Sequence, residues 1–123
     1  MTQQRIHLGH SGEDLAASFL KENGYKILER NVRGPRGEID IIARDADTVC
    51  FIEVKTRSSD RLGLPLEAVS LQKQKKLACL AMSYIKSNRL EDSRMRFDVV
   101  SILLANKDTP EIEVIKNAFD VNL

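Results

Sequence analysis

Apolar positions recur along the chain with two periods, and the changes between them mark out the elements. After Ser11, placed as an N-cap, Leu15, Ala16, Phe19 and Leu20 form a helical stripe, and Asp14 falls in the first turn. Gly24 closes that helix. Tyr25 to Asn31 reads as a strand, and Gly34-Pro35-Arg36-Gly37 as a turn or flexible loop. Glu38 to Arg44 and Thr48 to Thr56 are two strands joined by a short Asp-Ala-Asp connection. A polar stretch from Arg57 to Gly63 then leads into a long helix capped by Ser70. Its stripe is Leu77, Leu80, Ala81, Tyr84 and Ile85. Arg94 to Leu104 and Ile112 to Ile115 supply the last strands. The order α-β-β-β-α-β-β predicts one α/β domain over residues 1–123, a mixed sheet flanked by helices, with residues 1–10 expected to be mobile.

The central hairpin can be worked out further. Either a two-residue loop, Ala46-Asp47, or a four-residue one, Asp45 to Thr48, sets Ile39 against Val54, Ile41 against Ile52 and Ala43 against Cys50, all apolar and all on one face. The other face then sets Asp40 against Glu53, Glu38 against Lys55 and Ile42 against Phe51. A three-residue loop would scramble this partition. Directly opposed side chains have Cβ atoms about 4.5–5.5 Å apart, and like charges there destabilise a sheet. Two carboxylates so placed call for a shared proton or a cation. Paired hard oxygen ligands suit Mg2+. Lys55 lies on the same face, about 6.6 Å along the strand from Glu53. This face has two readings. It is either a solvated surface with two cross-strand ion pairs, or a centre for metal-assisted phosphodiester hydrolysis.

Composition changes this picture little. The 123 residues suffice for one core, and 42% hydrophobic with 30% charged residues is ordinary for a folded protein. No apolar run approaches the roughly 20 residues of a membrane helix, and the first residues lack a secretory signal, so cytoplasm is the expected address. Cys50 and Cys79 sit among apolar neighbours and read as buried thiols. The net charge of +1 names no partner. Its distribution is basic between residues 30 and 76, where Arg30, Arg33, Arg36, Arg44, Lys55, Arg57, Arg61, Lys73, Lys75 and Lys76 face Glu38, Asp40, Asp45, Asp47, Glu53, Asp60 and Glu67. That middle fits a polyanion such as nucleic acid.

An acid-bearing first helix followed by Asp40, Glu53 and Lys55 resembles the PD-(D/E)XK nuclease superfamily, with its restriction-endonuclease-like fold. More narrowly, four segments resemble the YraN family, small bacterial proteins related in fold to archaeal Holliday junction resolvases. They are Gly37-Glu38-Ile39-Asp40, Glu53-Val54-Lys55-Thr56-Arg57, Lys73-Gln74 and Arg96-Phe97-Asp98-Val99-Val100. Ile115-Lys116-Asn117-Ala118-Phe119 resembles that family's tail, and the likeness runs from Gly12-Glu13 onward. Residue 39 is isoleucine where the superfamily's pattern has proline.

The resemblance implies a Mg2+- or Mn2+-dependent endonuclease acting on DNA, in branched or structured form during recombination or repair. Asp40, Glu53 and the Val54 carbonyl would hold the metal, Lys55 would be the catalytic cation, and Glu13 the acid that approaches from the first helix. It also makes a homodimer plausible, since resolvase-like enzymes act on two strands symmetrically. The alternative is a nucleic-acid-binding module of the same fold that works through a partner protein. A third option is a protein-binding scaffold.

Among other residues, Arg33, Arg36, Arg57, Lys73 and Gln74 are candidates for nucleic-acid contact, and Lys75 and Lys76 read as solvated helix surface. Glu38 is expected either to second a metal or, as the preferred reading, to pair with Lys55, and Arg96 is expected to pair with Asp98. His7 and His10 carry no metal role. Phe19, Phe51, Phe97 and Phe119 read as core rather than as platforms for stacked bases.

Overall fold

The computed structural model describes residues 8–58, 69–104 and 109–120. Residues 1–7 of the expected mobile start, and Asp60, Arg61 and Glu67 of the basic middle, lie outside the described residues.

The expected element order is present. Helix α1 (Leu8–Glu22) precedes the strands β1 (Lys26–Gly34), β2 (Gly37–Asp45) and β3 (Thr48–Arg57). Helix α2 (Leu71–Ser87) then leads to β4 (Arg94–Leu103) and β5 (Glu111–Ile115). The strands lie side by side in chain order, antiparallel except for the β3·β4 pair. Parallel neighbours need a crossover, and α2 lies within the connection between them.

Local chemistry sets the element ends. Gly24 adopts a left-handed φ of +89°, and the Tyr25 N–H returns to the Leu20 carbonyl at 2.9 Å, closing α1. Ser70 caps α2, its Oγ accepting the Lys73 N–H at 3.2 Å. One expectation fails at the start of the chain. Helix α1 begins at Leu8, so residues 8–10 form its first turn and Ser11 is not its cap. Strand β1 runs on to Gly34, past its expected end at Asn31, and of the two readings of residues 34–37 the turn is the one present, at Pro35-Arg36.

Each face of the sheet carries its own core. On the α1 side, Ala16, Ala17 and Leu20 pack on Ile41, Ala43, Cys50, Ile52, Val100 and Ile102. On the α2 side, Leu77, Ala78, Ala81 and Ile85 pack on Ile42, Phe51, Phe97 and Val99. The face with Ile42 and Phe51 is therefore covered rather than open to solvent. Phe97 contacts both Phe51 and Phe119, at ring-centroid distances of 5.7 and 5.1 Å. Phe19 is only half-buried and belongs to neither cluster. Cys50 is buried as expected, but Cys79 is exposed on α2, and neither forms a disulfide.

One buried polar group needs its own account. Asp98 is fully buried, and both its oxygens accept from Arg96 Nε, at 2.9 and 3.0 Å. Oδ1 also accepts the Asn117 N–H at 2.9 Å. Arg96 continues to Asp45 at 2.7 Å and to the Tyr25 hydroxyl at 2.9 Å, which ties the sheet to the residues after β5. This is the ion pair expected from the sequence. Replacing Asp98 with alanine strands a guanidinium and a backbone donor, and the expected cost is about 3–5 kcal/mol in urea unfolding. Asp45→Ala, at the partly exposed end of the network, should cost about 1 kcal/mol. Equal losses for the two variants would show that Asp98 is not the anchor.

Candidate metal and phosphodiester centre

The centre begins where the β2·β3 ladder ends. Its pairs run from Asp45–Thr48 through Ala43–Cys50 to Ile41–Ile52, in the register expected from the sequence. Continuing that alternation would bring the Val54 N–H to the backbone opposite, at Ile39. Instead it donates to the Asp40 side chain, Oδ2, at 2.8 Å. A carboxylate has taken the place of a carbonyl, and the strand changes phase around it. Ile39 packs in the α2-side core, whereas Ile41 packs on the α1 side, although unbroken alternation would put both on one face.

The expected pairs Ile39–Val54, Asp40–Glu53 and Glu38–Lys55 are accordingly not ladder pairs. Glu38 lies opposite Arg33 of β1 and pairs with it at 3.4 Å, so the predicted Glu38–Lys55 bridge is replaced.

What gathers at Asp40 is acidic. Gly12 sits so close to β3 that a Cβ there would run into the Thr56 hydroxyl. This contact holds the start of α1 against the sheet, with Glu13 beside Asp40. Glu13, Glu38 and Asp40 each offer an oxygen, all within 4.8 Å of one another. Asn31, at a left-handed φ of 55° that asparagine tolerates, bridges two of them. In the amide orientation that satisfies both ends, its nitrogen donates to Glu38 Oε1 at 2.7 Å and Glu13 Oε2 at 3.1 Å. Arg30 bonds Asp14 at 2.8 Å and reaches Glu13 only at 4.0 Å. Burial first, then the charge of Glu53, with smaller contributions from Glu13 and Glu38, raises the Asp40 carboxyl from 3.8 to about 7. The Val54 N–H opposes this without cancelling it.

The lysines collect on Glu53. This carboxylate is 7% exposed, with Lys73 Nζ at 2.6 Å and Lys55 Nζ at 3.5 Å from Oε1. Burial, and then the neighbouring Lys73, depress the Lys55 pKa. Burial also opposes the charge on Lys73, but its bond to Glu53 outweighs this and raises its pKa. Asp40, Glu53 and Lys55 are thus brought together around Val54, whose neighbours on β3 are Glu53 and Lys55.

The other candidates divide. Lys73 is turned inward onto Glu53. Gln74 Nε2 donates to the Val69 carbonyl at 3.0 Å, a bond that braces the start of α2. Arg33 is bound to Glu38, and Arg36 is exposed at the β1–β2 turn. Arg57 is half-buried at the end of β3, where its carbonyl accepts the Leu104 N–H. The residues undervalued from sequence are Glu38 and Asn31. Glycines on either side of Pro35-Arg36 were the signal for a tight hairpin, and that hairpin sets Glu38 opposite Arg33.

A group protonated near pH 7 when folded and near pH 4 when unfolded binds more protons in the folded state between those values. The stability tied to protonated Asp40 is full below about pH 4 and is lost as pH rises through 7. Asp40→Asn keeps an acceptor for Val54 and carries no charge. In chelator, its melting temperature should exceed the parent's at pH 8, by on the order of 1 kcal/mol of stability, and match it near pH 4. A gain that is the same at both pH values would exclude charge crowding as its cause.

Residues 12–102, which include every acid and lysine just described, match Uncharacterised protein family UPF0102. A UPF0102 protein of Syntrophus aciditrophicus is 47% identical over 118 residues, covering 96% of this chain and 92% of its own. One from Acetivibrio thermocellus is 50% identical over 116 residues, covering 90% and 89%. One from Rhodococcus opacus is 44% identical over 114 residues, covering 93% and 97%. The chain therefore belongs to the UPF0102 family, the group its YraN-type motifs anticipated.

Proposed function

We propose that the chain is a metal-dependent phosphodiesterase of the PD-(D/E)XK type that cuts DNA, in branched or structured form. The observation that carries this reading is the packing of the Glu13 and Glu38 carboxylates against a partly buried Asp40, beside a lysine of depressed pKa. That much negative charge at short range fits a hard divalent cation, which takes carboxylate oxygens by preference. Mg2+ or Mn2+ would be held by Asp40 with Glu13 and Glu38, and with Glu53 and the Val54 carbonyl from β3. When bound, such an ion supplies a Lewis acid and lowers the pKa of coordinated water.

The chain's own groups do the rest. Asp40 is fixed by the Val54 N–H, so its free oxygen needs little reordering. Lys55 offers a half-buried positive charge to a phosphate oxygen, and its depressed pKa eases proton release to a leaving oxygen. Among the described residues no helix is long and apolar enough to cross a membrane.

A second reading rests on the Lys73–Glu53–Lys55 contacts, which leave Glu53 already paired. They favour a binding module that works through a partner protein.

Incubation with branched and single-stranded DNA, with Mg2+ or Mn2+, separates the two. Cutting should depend on the metal and fall by about 100-fold or more in Asp40→Asn and in Lys55→Ala. Thermal melts should show Mn2+ stabilising the parent protein but not the Asp40→Asn, Glu38→Gln double variant. Salt-sensitive DNA binding without turnover, unchanged in Asp40→Asn, would establish the binding module instead. Cutting that survives both substitutions would discard these residues as the machinery.

A further inference from the structure

A cleft of about 290 Å³ lies between the β1–β2 turn and the first turns of α2. Its polar wall includes Arg36, Glu38, Lys73 and Lys76, and Leu77 and Leu80 are its apolar part. Three cations thus face one acid. Arg36 and Lys76 are exposed and carry no ion pair among the described residues. Lys76, expected to be solvated helix surface, belongs to this wall.

The cleft is built into the fold rather than left between loops. Gly34 lies so close to α2 that a Cβ there would run into the Leu80 side chain, so the end of the hairpin is seated on the helix. Two contacts join the cleft to the acidic centre. Glu38 belongs to both, and Lys73 lines the cleft while its Nζ sits 2.6 Å from Glu53.

We propose that this cleft seats a phosphate of a nucleic-acid backbone, and that the phosphate draws Lys73 away from Glu53. The cation set matches a phosphodiester, and the volume suits one phosphate with its sugar. A polymer suits the site better than a lone anion, because Glu38 places the cleft next to the carboxylates. A strand held by one phosphate there continues past Asp40. As Lys73 turns to the phosphate, Glu53 loses its closest cation and joins the acids around Asp40. Phosphate and divalent cation then favour each other's binding, and the coupling is reciprocal. The exchange rests on the proposed function; the phosphate seat does not.

Two experiments judge the two parts. In chelator, a labelled single-stranded oligonucleotide is titrated by fluorescence anisotropy. Arg36→Glu and Lys76→Glu should each weaken binding about tenfold and flatten its salt dependence. Lys86→Glu, an equal charge change in the last turn of α2, should leave binding within about twofold. Equal effects from all three variants, or none, overturn the seat. Inorganic phosphate or thymidine monophosphate competing as well as the oligonucleotide, at equal phosphate concentration, overturns the polymer.

For the exchange, Mn2+ affinity is measured by calorimetry with and without the oligonucleotide. The parent protein should bind Mn2+ several-fold more tightly with it, and Lys73→Met should bind equally in both. Coupling that persists in Lys73→Met overturns the exchange. Absence of Mn2+ binding in every arm overturns the exchange and the proposed activity together, while the chelator titration still decides the seat.

Discussion

At one point of the central sheet a side-chain carboxylate accepts a bond that a backbone carbonyl would ordinarily take, when Asp40 receives the Val54 N–H. The β2·β3 ladder stops there, and β2 changes the side on which its residues point. Ile39 is carried into the α2-side core. Glu38 turns to Arg33 on β1 and to the acid approaching from α1. Val54, held by the same bond, fixes the stretch of β3 that bears Glu53 and Lys55. The centre is thus a local fault in a regular sheet, and its geometry follows from the fault.

The electrostatic layout follows from which helix covers which face. Helix α1 brings an acid, Glu13, through the close approach of Gly12 to Thr56. Helix α2 brings an ammonium group, because its capped N-terminus turns Lys73 toward β3. Glu53 is satisfied by two lysines. Among the described residues Asp40 has one backbone donor, the Val54 N–H, and several like-charged neighbours, and its carboxyl is pushed up to about 7. Charge is therefore sorted rather than neutralised, negative toward α1 and positive toward α2. A phosphodiester with a divalent cation carries the complementary pair of charges.

What could be read from the sequence was whatever depends on near neighbours. The apolar pairs Ile41–Ile52 and Ala43–Cys50 selected the hairpin register, Ser70 and Gly24 marked helix ends, and Arg96 lay one side chain from Asp98. Motif spacing brought Asp40, Glu53 and Lys55 together. The phase change was hidden because both faces of the sheet are covered. An isoleucine at position 39 is equally at home on either side, so the hydrophobic pattern carries no mark of the reversal. Glu38 was given the wrong partner for the same reason, since pairing it with Lys55 assumed an unbroken ladder. Cys79 was misjudged because apolar neighbours in sequence are not neighbours in space on a helix.

Two polar constellations lie along β3, and their contrast bears on function. Toward the Ala46-Asp47 turn, Asp98 is buried and fully engaged by Arg96 and the Asn117 N–H, and Arg96 is in turn engaged by Asp45 and Tyr25. Every member has its partner, as a network must if it is to stabilise a core. At the other end, Asp40 keeps like-charged company that folding alone would not select, since an apolar residue there would avoid the cost of burying a charge. Local rules are kept in the first case and broken in the second. A cost of this kind marks a candidate functional site, where the proposed divalent cation would supply the compensating interaction. By that reasoning Arg96 and Asp98 hold the sheet together, and the acids around Asp40 are the place to which the proposed function assigns the ligand.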